Sequence, residues 1–106
     1  MQTYGDCLKG SCLSEHCTKK PVNPKMAQLI RKDIIGELEA IVQYQNHIME
    51  TDDPVLKKVW EDIRDEEKVH VGELFTLLVW LDPSEEKFFT KGQKEVEEML
   101  RRMGKM

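Results

Sequence analysis

The sequence predicts an all-α protein: an antiparallel two-helix hairpin followed by a short C-terminal helix, two copies of which pair into a four-helix bundle. Three observations carry this reading. Apolar residues recur at steps of three and four along two long stretches, and nothing alternates with a period of two. Only Thr51-Asp52-Asp53-Pro54 separates the stretches, and so short a link makes antiparallel neighbours. The end of the second stretch, from Leu74 to Leu81, is apolar nearly all round, more than a two-helix hairpin can bury. Partners are expected to cover it.

Composition narrows the class. The chain has 106 residues, a third of them charged, with a net charge of −4. That is one small domain or less. An acidic balance without a long basic run argues against nucleic-acid binding. No run of about 18 apolar residues is present, so no membrane span is expected. The start, MQTYGDCLKG, lacks the basic-then-apolar pattern of a signal peptide, and a cytoplasmic location is expected.

Residues 1–23 read as an irregular arm holding all three cysteines, Cys7, Cys12 and Cys17, with His16 beside the last. Three thiols and an imidazole can hold zinc or an iron–sulfur cluster, but no C-x-x-C pair is present. A disulfide, an interchain thiol and a tail without specific cysteine chemistry remain open. The helical domain spans residues 24–106. Asn23-Pro24 reads as an N-cap followed by proline at the first helical position. The first helix runs to about Glu50 on a stripe of Met26, Ile30, Ile34, Ile41, Tyr44 and Ile48. Asp53 can cap and Pro54 can open the second helix, which runs to Leu81 on Leu56, Trp60, Ile63, Leu74, Leu78 and Leu81. Trp60 and Trp80 read as core or interface anchors. A third, weaker stripe, Val96, Leu100 and Met103, places a helix from about Gly92. Lys91, Lys94, Arg101, Arg102 and Lys105 read as its solvated face and tail.

Both long stripes have an ionisable interruption. Glu37 fills the gap between Ile34 and Ile41; Glu67 and His70 fill that between Ile63 and Leu74. A carboxylate on an apolar face shifts its pKa, finds a hydrogen-bonding partner or binds a metal. Glu and His three apart project side by side and can offer an oxygen and a nitrogen to one ion. A Glu–His hydrogen bond within a core is the plainer alternative. Glu37 and Glu67 both lie about 20 Å from the turn at 1.5 Å per residue, and should meet at one level. Carboxylate-bridged two-metal sites in four-helix bundles take a Glu from each of two helices and a Glu-x-x-His from each of the other two. One chain supplies half of that set, and a two-fold pair supplies all of it while covering the apolar faces. Glu39 and Asp33 lie off the stripe, solvated or forming an outer acidic site. Glu66 and Glu73 read as solvated. His47 reads as a surface or capping residue near the helix end.

Ile35-Gly36-Glu37-Leu38-Glu39-Ala40-Ile41, Tyr44, the run from Arg64 to Glu73 and Leu81-Asp82-Pro83 resemble the encapsulated ferritin family. The resemblance covers residues 26–103 and is strongest to the ferritin-like domains that accompany, or are fused to, encapsulin shells. It implies that Glu37, Glu67 and His70, with the same three from a second subunit, ligate a di-iron centre. It also implies that Tyr44 lines that centre and that Glu39 belongs to an outer metal site. It implies a homo-oligomer built as a ring of dimers, commonly a decamer, lodged in an encapsulin nanocompartment. The activity it implies is ferroxidase: oxidation of Fe(II) by dioxygen, feeding a mineral held by the shell. We assign the metal-bridging role to Glu67 and a terminal one to Glu37, with Tyr44 tuning the pocket, giving an electron, or simply packing. Gln43 stands where some relatives carry tryptophan. The residues from Arg101 to Met106 do not resemble the short apolar peptide that docks such cargo. Three alternatives stand beside this reading: a rubrerythrin-like peroxide-reducing di-iron protein, a non-enzymatic oligomerisation module with a buried Glu–His network, and a metal-storing or metal-sensing bundle.

Overall fold

A computed structural model describes residues 22–106. They form three helices, α1 (Pro24–Glu50), α2 (Pro54–Leu81) and α3 (Ser84–Arg102), with no strand among the described residues. The cysteine arm expected at residues 1–23, with Cys7, Cys12, His16 and Cys17, lies outside them but for its last two positions. Two compact units divide the chain. One is the hairpin, Pro24–Leu78; the other holds Val79–Met106 and the residues leading into α1.

The ends of the long helices are where local chemistry places them. Proline opens both, losing an N–H that has no partner in a first turn anyway. Asp53 caps α2: its Oδ1 accepts from the backbone N–H groups of Val55, at 2.8 Å, and Leu56, at 3.1 Å. The Asp53 N–H in turn donates to Thr51 Oγ1 at 3.2 Å. Three residues, all polar, thus reverse the chain.

Within the hairpin, the inward seam of α1 is Ala27, Ile30, Ile34, Glu37, Ile41, Tyr44 and Ile48, and that of α2 is Lys57, Trp60, Arg64, Glu67, Val71, Leu74 and Leu78. Each alternates steps of three and four, the spacing of an apolar seam between two packed helices. The α1 seam follows expectation except at its start, where Ala27 is fully buried and Met26 is exposed. On α2 the seam is rotated by one residue at three positions. Lys57, Arg64 and Val71 take the places expected for Leu56, Ile63 and His70. Leu56 is exposed, Ile63 is half-buried, and His70 stands at the seam's edge. Reading only apolar residues pulled the expected stripe off centre, because long cationic side chains can bury their stems while their heads find partners.

At the apolar end of α2, Leu78 and Val79 are buried and Trp80 is half-buried. In the second unit the Asn23 N–H donates to Leu81 O at 3.1 Å. The third helix begins at Ser84, not near Gly92. The residues before Gly92 carry little apolar periodicity, yet they sustain a helix. Glu85 and Glu86 occupy its first turn, favourable to the positive end of the helix dipole, and the Glu85 N–H donates to Asp82 O. Gly92 is tolerated inside the helix at a cost of about 1 kcal/mol relative to alanine. The helix ends in a Schellman motif. The Gly104 and Lys105 N–H groups donate to Arg101 O and Leu100 O at 3.0 and 2.8 Å, and Gly104 has φ 73°.

Replacing Asp53 by alanine should cost about 1 kcal/mol of stability by removing the α2 cap, whereas Asp53→Asn should cost far less. Urea unfolding followed by helical ellipticity measures both.

Candidate metal centre

Glu37 lies fourteen residues before Thr51, and Glu67 fourteen after Asp53. The tight turn therefore brings them to one level of the hairpin. His70, one turn beyond Glu67, tilts back toward the N-terminal end of α2, as helical side chains do, and reaches both carboxylates. Its Nδ1 stands 3.4 Å from Glu67 Oε2 and 3.6 Å from Glu37 Oε2. One ligand atom from each of the three lies within 4.8 Å of the others. The three are graded in exposure: 19% for the Glu67 side chain, 26% for Glu37 and 46% for His70. The cluster is closed toward the hairpin and open on the His70 side.

Two carboxylates around one imidazole nitrogen carry two negative charges when the histidine is neutral. A cation between the groups offsets that charge. Two oxygens and one nitrogen suit iron, manganese or zinc. The donor set thus fits a divalent metal, although three groups from one chain fall short of four to six ligands. Here the structure brings together the three residues singled out from the sequence.

Other expected site residues lie elsewhere. Tyr44 is two turns from Glu37 along the α1 seam, where its ring stands edge-on to His47 at 6.1 Å. Glu39 is on the exposed side of α1, two residues and about 200° round the helix from Glu37. Glu66 and Glu73 are exposed, as expected of solvated acids. His47 is a correction. It is not a surface or capping residue: its ring packs on Trp60 at 4.9 Å, and its Nδ1 is buried without a hydrogen-bond partner. Its spacing from Tyr44, three residues, was the available signal for this inward turn. Trp60 anchors the same cluster from α2, as expected of a core aromatic.

A polar crosslink beside the acids carries no apolar periodicity in the sequence. The Arg64 Nη1 donates across the hairpin to Gln45 Oε1 at 2.8 Å. Its Nε and Nη2 lie 3.1 and 3.0 Å from Asp65 Oδ1. Only 18% of the Arg64 side chain is exposed. Its position three residues before Glu67 placed it on the same face.

A profile described as EncFtn-like matches residues 15–101. The chain belongs to the EncFtn-like family. The match takes in His16 and Cys17, so it reaches into the arm. Among curated proteins, a "Ferritin-like-encapsulin shell fusion protein" of Pyrococcus furiosus is 36% identical over 75 residues, 71% of this chain and 22% of that protein. An "Encapsulin nanocompartment cargo protein EncC" of Myxococcus xanthus is 34% identical over 67 residues, 63% of this chain and 52% of that protein. The chain thus spans about half or less of the length of these relatives. No solved structure gives a significant match. Among the described residues, no helix is long and apolar enough to cross a membrane.

If the three residues bind a cation, Glu37→Gln, Glu67→Gln and His70→Ala should each weaken cobalt(II) binding about tenfold or more. Titration followed by the visible absorption of cobalt measures this.

Proposed function

We propose that this chain is a ferroxidase: pairs of subunits bring two sets of Glu37, Glu67 and His70 together and oxidise Fe(II) with dioxygen at the joint site. The observation that carries this reading is the half-set of ligands, two carboxylates and one imidazole, on a cluster left open on one side. A second copy related by a two-fold axis presents the same groups to that opening. Exposed apolar residues of the hairpin, among them Leu38, Val42, Leu56 and Val59, supply surface that such pairing would cover.

Iron is the substrate here. Two ferrous ions held together can pass two electrons to one dioxygen, which with two protons from solvent leaves as hydrogen peroxide; a single ferrous ion supplies only one electron. The four carboxylates of the pair balance the charge of two divalent cations, and the imidazoles complete their ligand sets. Glu67, the less exposed of the two acids, is assigned the bridging place, and Glu37 and His70 the terminal ones. Tyr44 lies farther along the seam, where it can order the pocket by hydrogen bonding. Glu39 is assigned to an outer site through which cations pass.

The names of the relatives support the setting of this chemistry. One is a nanocompartment cargo protein and the other a fusion to a shell protein. We infer that this chain likewise works inside an encapsulin compartment of the cytoplasm, as a ring of dimers, with the shell holding the ferric product. The cysteine arm and the helical domain at 24–106 are assigned as separate parts, of which the helical one carries the iron chemistry.

Stopped-flow mixing of anaerobic Fe(II)-loaded protein with dissolved dioxygen tests the activity. The natural sequence should oxidise iron with two ferrous ions consumed per dioxygen. Glu37→Ala, Glu67→Ala and His70→Ala should each fall to the uncatalysed rate. Oxidation at the natural rate by variants that no longer bind metal would refute the assignment. Oxidation by peroxide alone would point to the peroxide-reducing reading.

A further inference from the structure

Arg64 is a charge in a place built for an apolar side chain. It occupies the α2 seam between Trp60 and Glu67, and its side chain is 18% exposed. A guanidinium so placed is retained at a cost in desolvation unless its donors are met. They are met on two sides. Gln45 of α1 accepts from Nη1 at 2.8 Å, and Asp65 of α2 accepts from Nε at 3.1 Å. The directions of the side chains explain the meeting. Arg64 leans toward the N-terminus of α2 and hence toward the turn. Gln45 leans toward the N-terminus of α1 and hence away from it. The crosslink therefore closes between the turn and the acidic cluster, one helical turn from Glu67.

We propose that Arg64, acting through Gln45, is a positioning residue that fixes α1 against α2 and so holds Glu37 opposite Glu67 and His70. The proposal rests on the metal-site reading above. A rigid planar fork suits this role. It binds two acceptors at once, one on each helix, and resists both sliding and rotation. Lysine in its place keeps the charge but lacks the fork. Leucine at Gln45 keeps the bulk but lacks the acceptor. The cluster needs such a fixture because His70 touches Glu37 and Glu67 at 3.6 and 3.4 Å, distances that a small slide of one helix would undo.

The test uses the full chain, metal-free, at one pH, with the His70 ring signals read by nitrogen-15 NMR and assigned by their loss in His70→Ala. R64K and Q45L should each displace the His70 signals, and the double variant should move them no further than one change does, since both remove one interaction. Cobalt(II) affinity should fall about tenfold in each. Asp65→Asn, at an exposed position, loosens the same fork and should give a smaller displacement in the same direction. It decides the matter should R64K lose helical structure. Unmoved His70 signals and unchanged cobalt affinity in folded R64K, Q45L and Asp65→Asn would overturn the proposal. Displaced signals in a protein whose natural sequence does not oxidise iron would support the role of Arg64 and remove the ferroxidase reading instead.

Discussion

Two carboxylates gathered around a single imidazole nitrogen are the arrangement on which the rest of this chain turns. Glu37 and Glu67 come from different helices, each at the middle of its helix's inward seam. Their approach to His70, at 3.6 and 3.4 Å, is made possible by a reversal of three residues and by equal helical lengths on either side of it. Moving either helix by one residue along its axis would shift the acids by about 1.5 Å and rotate them by about 100°. The Asp53 cap, the proline starts and the strict three-four spacing all serve to prevent that. Their combined effect is to make a local cost, negative charge concentrated on a part-buried face, into a place where positive charge is wanted.

Much of this could be read from the sequence, because the signals were local or periodic. The ends of α1 and α2 follow from proline, Asp53 and the short link, all decided within one turn of helix. The meeting of Glu37 with Glu67 follows from counting residues to the turn. What the sequence did not show depended on partners across the hairpin. Arg64 and Lys57 carry no apolar signal, and only the folded hairpin shows the seam running through them. His47 read as a surface histidine, although the same face carries it against Trp60. The start of α3 was missed because its first two turns are held by charge placement and chain geometry rather than by apolar rhythm. Gly92 drew the boundary to itself, whereas a glycine inside a helix costs only about 1 kcal/mol.

The three site residues are left partly exposed, His70 most of all. In a finished interior a histidine would not remain half-exposed beside two acids. The hairpin presents an open cluster and a surrounding surface rich in exposed aliphatic side chains. Under the proposed function, a second copy completes that open cluster. On this account the same association satisfies the packing and the ligand set, and neither is complete in one chain.

The central claim is that two subunits share one two-metal site. Native mass spectrometry of the purified chain, metal-free and after anaerobic addition of Fe(II), tests it most directly. The account predicts even-numbered assemblies that carry two tightly held irons per pair of subunits. A monomer that binds its own iron, or an oligomer indifferent to iron, would contradict it.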